Sequence, residues 1–431
     1  MTRNAEASLL LAASVLAALG VALANFAKGS GLDAQVALTF LVFMLAFGGI
    51  HLALRRWAAS ANPYLFPLAA FLAAIGFIAV YRLDPELAAL QRWSLLVAGG
   101  VASFVMFLLR NEGVAMLRRY RYVFLLTAVG LLLLPLLPDG FPIHGAEVFG
   151  SRLWVRIELP LGARTLSFQP GEIAKVLLTV FLASYLADRY LVMASTDRKL
   201  GPVTLPDPRQ LFPVLLAGAA AFLVLIYQRD LGASLLLFGL FIGMMYLATG
   251  KGIYLFAGGV FVGVAGYFAY RLFDHVQRRV EAWLRPFDDF ADTGYQIAQS
   301  LFALGSGSLT GSGIGMGRPD LIPAAATDFV FAAVGEEMGF AGSVAVIAGY
   351  ALLVAAGFGI ALRARDVFRK FLAAGLTLVL GMQAVLIIAG VVRLLPVTGI
   401  TLPFMSYGGS SLVANMAMVA LLARISHGER T

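Results

Sequence analysis

The sequence predicts an all-α, polytopic membrane protein of about twelve transmembrane helices, and three observations carry that prediction. Of the 431 residues, 60% are hydrophobic and only 13% charged, against roughly half apolar and a quarter charged in soluble domains. The mean hydropathy is +0.86. Apolar runs of about 20 residues, long enough to cross a hydrocarbon core as helix, recur from end to end, and the short alternating segments of a β-barrel are not seen.

The first run, 8–26, follows MTRNAEAS, which lacks the basic n-region of a signal peptide. It is expected to stay as a helix despite the cleavage-like Ala22-Leu23-Ala24. Runs at 36–54, 64–81, 93–109 and 121–138 follow. Residues 139–175 form the first long hydrophilic stretch, closed by the run at 173–190. The runs 211–227 and 231–249 are joined only by YQRD, a tight hairpin whose Gln228, Arg229 and Asp230 cap the pair. After 252–271 comes the second long stretch, 271–328, and the runs 329–362, 370–392 and 409–425 complete the count. Neither internal repeats nor low-complexity linkers divide the chain, which reads as one membrane domain.

Charge sets the orientation. With the N-terminus inside, eighteen of the 32 Lys and Arg residues fall on inner segments, and nine of the other fourteen lie in or beside the two long stretches. Long translocated loops weigh little in the positive-inside rule, so both termini are expected in the cytoplasm and both long loops outside it. The net charge of +8 could suit nucleic acid, but the basic residues sit at the ends of apolar runs rather than in a soluble patch, so no nucleic-acid partner is expected. Cysteine is absent, which excludes disulfides and thiolate metal sites.

Four stretches concentrate the chemistry. In GSRLWVRIELPLGARTLSFQPGEIAKVLL, 150–178, Glu172 and Lys175 are three residues apart on one helix face. They read either as an ion pair at a helix start or, with Arg152, Arg156 and Arg164 nearby, as a grip on an anion at the membrane surface. Trp154 suits an interfacial anchor. In the second loop, Tyr295, Gln296, Gln299 and Ser300 can lie along an amphipathic helix, followed by the Gly-rich GSGSLTGSGIGMG, which matches no complete P-loop. Next, PAAATDFVFAAVGEE places Asp328 where a helix N-cap would sit and Glu336 and Glu337 about 12 Å further along. At 100° per residue the two glutamates cannot serve one site equally, so one of them is expected to pair with a neighbouring helix. Finally, RLLPVTGITLPFMSYGGSSLVANM, 393–416, makes a hydroxyl-rich turn with Ser406, Tyr407, Ser410 and Ser411 before the last run.

Together these stretches resemble the SEDS family (shape, elongation, division and sporulation; RodA, FtsW, SpoVE). FQPGEIAK is similar to its FQPSEIAK, QRDLGAS to QPDLGTA, TDFVFAAVGEEMG to its TDFIFA and EE-x-G pattern, and LLPVTGITLPFMSYGGSS to its LLPVTG, LPF and SYGGSS pattern. The match runs over about residues 64–425, in the right order. Departures are Gly171, Arg229, Arg393, Ala324 and Ile387, where the family usually has Ser, Pro, Gly, Glu and Asn. Residues 1–60 read as an N-terminal extension of two helices ahead of the family domain, 61–431, which with QRDLGAS points to the RodA-like branch.

The resemblance implies a peptidoglycan glycosyltransferase of the bacterial cytoplasmic membrane that polymerises lipid II beside a class B penicillin-binding protein. The residues agree with that chemistry. An anionic, membrane-bound donor suits Arg152 and Lys175. The acceptor hydroxyl needs a general base, and the outward carboxylate framed by the four motifs is Asp328. Trp154, Glu172, Gln228, Asp230, Tyr295, Gln296, Gln299, Ser300, Ser406, Tyr407 and Ser410 are the expected substrate-binding groups. A divalent cation, Mg²⁺ or Mn²⁺, could neutralise the leaving diphosphate, although its ligands cannot be read from the sequence. The alternative is a lipid II flippase, which would use the same membrane cavity and basic lining without a base.

Overall fold

The computed structural model describes residues 3–111, 113–138, 141, 143–148, 151–158, 165–195, 197–200, 203–206, 228, 230–290 and 292–428. Fourteen helices are found among them: α1 Arg3–Ala27, α2 Ala34–Trp57, α3 Leu65–Leu83, α4 Pro85–Leu108, α5 Gly113–Arg119, α6 Arg121–Leu133, α7 Pro170–Ser195, α8 Leu231–Thr249, α9 Ile253–Leu272, α10 Asp274–Leu284, α11 Tyr295–Ser306, α12 Val330–Arg363, α13 Val367–Val391 and α14 Gly409–Gly428. Ten are long and apolar enough to cross a membrane. The expected run 121–138 corresponds to Arg121–Leu136, α6 and the turn after it, which meets the short α5 before it at 74°; the two make an eleventh crossing if they count as one span. The expected run 211–227 lies outside the described residues. The chain is an all-α, multi-pass membrane protein.

One expectation needs enlarging. The stretch 139–175 holds a three-stranded antiparallel sheet, β1 Ile143–Val148, β2 Ser151–Glu158 and β3 Thr165–Phe168, and a hairpin of β4 Asp197–Leu200 with β5 Val203–Pro206 follows α7. The signal was present: in β2, Leu153, Val155 and Ile157 alternate with Arg152, Trp154 and Arg156, the period-two pattern of a strand with unlike faces. Val155 is fully buried on one face while Arg152 and Arg156 are exposed on the other.

The chain divides into two compact units. The first comprises Met1–Arg110, Val262–Ala356 and Gln383–Thr431; the second comprises Asn111–Phe261 and Gly357–Met382.

In the first unit, α1 packs on α2 and α3, and α4 on α2 and α14. Small residues permit the close approaches usual between membrane helices: a Cβ on Gly20 would lie 2.2 Å from Ile78 Cδ1, and one on Gly99 would lie 3.1 Å from the Ala46 carbonyl. Asp84 ends α3 and starts α4 in one step, since its carboxylate accepts the Glu86 and Leu87 N–H groups at 2.8 and 3.1 Å ahead of Pro85. At the opposite end of these helices, arginines collect carbonyls that helix ends leave unbonded. Arg424 donates to Trp57 and Arg110, and Arg3 to Ala58, Ala59 and Ala61. The N-terminal helices are thereby pinned to the rest of the unit.

In the second unit, Ala128, Leu132 and Ala174 form a buried cluster with Leu177, Leu178, Ala233 and Leu237 packed round it, joining α6, α7 and α8. Asp188 accepts from both Arg118 and Arg121.

Candidate functional site

Residues 323–329 wind through tight turns into α12. The N–H groups of Thr327 and Phe329 both bond the Ala324 carbonyl, at 3.0 and 3.4 Å. Ala324 has a φ of 55° and Phe404, in the facing segment, 66°, a region uncommon for residues that carry a Cβ. Such backbone persists only where its surroundings over-determine it, and here two other elements do so. Ser406 Oγ donates to the Thr327 carbonyl at 2.5 Å while accepting the Leu402 N–H at 2.8 Å. The Tyr407 N–H donates to the Ala326 carbonyl at 2.8 Å, and Gln296 Nε2 to the Pro323 carbonyl at 2.8 Å. Asp328, half-buried, follows directly.

The facing segment is itself braced. Gln383 Nε2 donates to the Thr401 carbonyl at 2.7 Å, Thr401 Oγ1 to Ser411 Oγ at 2.7 Å, and the Tyr350 hydroxyl to the Pro403 carbonyl. Behind it, Met405 lies so close to α3 that a Cβ on Gly76 would fall 2.3 Å from its Cα. Burial, to which the Asp84 carboxylate adds, holds the Tyr407 phenol above its ordinary pKa, so it stays a neutral O–H donor at physiological pH.

Of the expected site residues, Asp328, Ser406, Tyr407 and Gln296 are therefore brought together. Tyr295 and Gln299 are half-buried on α11, and Ser410 lies in the first turn of α14. Ser300 is fully buried and donates to the Val391 carbonyl at 2.9 Å.

The two glutamates have separate structural partners, as their positions on the helix required. Glu336 Oε1 accepts the Arg318 N–H at 2.7 Å. Glu337 Oε1 accepts from Arg82 Nε at 3.0 Å, and Arg82 Nη2 reaches the Gly317 carbonyl at 3.0 Å. Together they tie the glycine-rich loop to α12, which is not one helix: Gly339, at φ 67° and ψ −165°, breaks it into a short arm, Val330 to Met338, and a long stem. Backbone meets backbone at the break. The Ser312 and Gly313 N–H groups donate to the Glu336 and Glu337 carbonyls at 2.9 and 3.0 Å, and those of Phe340 and Ala341 to the Ser308 and Leu309 carbonyls at 2.9 and 3.1 Å. Sequence reasoning missed Arg82, whose signal was its place at the end of an apolar run, and missed the docked loop.

The second unit carries the basic candidates. Pro170 opens α7, and Glu172 in its first turn meets Lys175 at 2.5 Å. Both are buried, at 7% and 3% exposure. Arg152 is exposed on β2, with Trp154 half-buried beside it. Gln228 donates to the Leu132 carbonyl, and Asp230 caps α8 by accepting the Ala233 N–H at 2.8 Å, the hairpin-capping role its position suggested.

Residues 33–431 match the sequence model of the FtsW, RodA and SpoVE family, described as cell cycle proteins. The chain belongs to this family. Among SEDS relatives, it is 40% identical over 447 aligned residues to the peptidoglycan glycosyltransferase RodA of Mycobacterium tuberculosis, covering 99% of this chain and 91% of that protein. It is 36% identical to a probable peptidoglycan glycosyltransferase FtsW of Geobacter sulfurreducens, over 72% of this chain and 78% of the other, so the RodA-like branch is the better match. Two solved SEDS-like folds agree. A chain from a study of how a peptidoglycan synthase complex coordinates polymerisation and crosslinking superposes with a TM-score of 0.66 at 27% identity, over 86% of this chain and 98% of that one. The rod shape determining protein RodA of Thermus thermophilus gives 0.58 at 27% identity, over 87% and 99%.

Proposed function

We propose that the chain polymerises lipid II at the outer face of the bacterial cytoplasmic membrane, both termini lying inside, with a class B penicillin-binding protein as its crosslinking partner and cell elongation as its setting. It is a peptidoglycan glycosyltransferase: relatives of that name are 40% identical over 99% of its length, which favours this reading over the flippase. The observation that carries the mechanism is the turn of Asp328, held at three carbonyls by groups from Gln296, Ser406 and Tyr407.

Asp328 takes the proton of the acceptor sugar hydroxyl as its oxygen attacks the anomeric carbon of the donor. The bond from that carbon to the diphosphate oxygen breaks, and the polyprenyl diphosphate leaves with the electron pair. Attack from the opposite face inverts the anomeric centre. Arg152 and Lys175 hold the diphosphate; for Lys175 this requires a phosphate oxygen to replace Glu172 as acceptor, with Trp154 anchoring the loop. Tyr295, Gln299, Tyr407 and Ser410 meet sugar hydroxyls and amides of the substrates. Among the described residues no group of three or more His, Asp or Glu side chains forms a metal cage. A Mg²⁺ or Mn²⁺ ion would have to arrive largely on substrate phosphates.

The test is purified protein with its partner, given lipid II in the presence and absence of chelator. Glycan strands lost on Asp328→Asn support the assignment. Strands formed at the native rate by that variant would sink the general base, and lipid II crossing vesicles without polymerisation would return the flippase.

A further inference from the structure

Helix α10 is amphipathic, with Val276, Arg279, Val280 and Trp283 on its inner face. It docks through a reciprocal clamp. Arg393 Nε and Nη2 donate to the Trp283 and Leu284 carbonyls at 2.8 and 2.7 Å, and Trp283 Nε1 returns a bond to the Arg393 carbonyl at 3.1 Å. Arg393 has a φ of 61°, yet a side chain is kept at this left-handed position, where glycine is the default.

Beside the clamp lies an open surface pocket of about 400 Å³ lined by Trp283, Leu284, Leu301, Val392 and Arg393, at the lower end of the size range of small-ligand sites. Leu284, Leu301 and Val392 give it apolar side chains, Trp283 a ring whose N–H is spent on the Arg393 carbonyl, and Arg393 a guanidinium whose Nη1 makes no hydrogen bond among the described residues. Val392 and Arg393 directly follow α13, a candidate span that ends at Val391, so the pocket sits where a span leaves the hydrocarbon. Next to Leu301, the exposed rings of Phe302 and Phe287 lie 5.9 Å apart, extending the apolar surface beside the pocket. Residues 271–285 carry four arginines against two acids.

We propose that this pocket holds an anionic bilayer phospholipid, its phosphate on Arg393 Nη1 and an acyl chain along Trp283, Leu301 and Val392. The lining argues for a lipid whose polar part is little more than phosphate, because it offers no amide or carboxylate to the hydroxyls of a glycan-bearing lipid. Arg393 then has two tasks, fixing α10 and selecting charge.

Trp283 is a built-in reporter. The full chain, with its Trp283→Phe variant to subtract the other three tryptophans, is placed in phosphatidylcholine vesicles containing a minor fraction of acyl-brominated phosphatidylglycerol or acyl-brominated phosphatidylcholine. Trp283 emission should be quenched about fivefold more effectively by the anionic lipid, the factor expected for one arginine near a charged headgroup. Arg393→Gly should abolish that preference, and Leu301→Phe, which narrows the pocket and leaves Arg393 in place, should reduce quenching by both lipids to one common level. Equal quenching in the native chain overturns the site. So does a preference that survives Leu301→Phe, or one that survives Arg393→Gly while Trp283 stays as shielded from iodide as in the native chain. Displacement of brominated phosphatidylglycerol by an equal mole fraction of a polyprenyl diphosphate would hand the pocket to the substrate and end the proposal.

Discussion

The turn that carries Asp328 is fixed by neighbours that bond its backbone carbonyls. Asn keeps the size of Asp and caps helices about as well, so Asp328→Asn should leave the thermal midpoint within a degree or two while slowing glycan synthesis by about two to four orders of magnitude. The check is both measurements on one preparation. Ser406→Ala is the contrasting case. It strips the Thr327 carbonyl of its donor and the Leu402 N–H of its acceptor, leaving buried polar groups unpaired at about 1–3 kcal/mol each. Stability and turnover should fall together, with turnover restored more by Thr, which keeps a hydroxyl, than by Val. At this scale the sequence was half legible. An acid at the edge of an apolar run announces itself, but nothing in PAAATDF discloses that Ala324 is left-handed or that Ser406 lies 2.5 Å from the Thr327 carbonyl, since both depend on contacts across about eighty residues.

Among elements, the decisive one is α12. Its run reads as one long apolar stretch without proline, so nothing local marks the break. What breaks it is tertiary: the loop 308–313 replaces helix hydrogen bonds across Gly339 with its own. Gly339→Ala should therefore be severe. Its φ of 67° with ψ of −165° is a region almost confined to glycine, costing another residue about 1–3 kcal/mol, and a Cβ there would stand 2.2 Å from the Gly311 nitrogen. Thermal unfolding of the variant should drop markedly, and a midpoint equal to that of native protein would show that the loop can step aside. The Arg82–Glu337 pair gives a second check. Either single charge reversal should cost about 3 kcal/mol or more by burying an unpaired charge, and the double reversal Arg82→Glu with Glu337→Arg should recover much of the loss. Recovery absent from the double variant would mean that Gly317 and not Glu337 is what Arg82 serves.

For the whole molecule, the apolar runs and their order were legible because hydrocarbon permits so few backbone solutions. The small sheet after α6 was not, because eight alternating residues are a faint signal beside runs of twenty. Nor could the spacing of apolar runs reveal that the N-terminal helices are laced to the rest through Arg3 and Arg424. Reporter fusions at residues 145, 300 and 431 should place the first two outside and the last inside, and any other pattern would overturn the outward position of Asp328.

The seam between the glycine-rich loop and Gly339 has a pharmacological corollary. Its closest contacts run between peptide groups, with Ser312 Oγ and the Glu336 carboxylate alongside, so a compound that bonded to those peptide groups would meet few side chains that could mutate to exclude it. Escape would have to come by replacing the glycines, and at Gly311 a Cβ would stand 2.2 Å from the Glu337 carbonyl oxygen. Replacing those glycines would deform the short arm of α12 that starts beside the Asp328 turn.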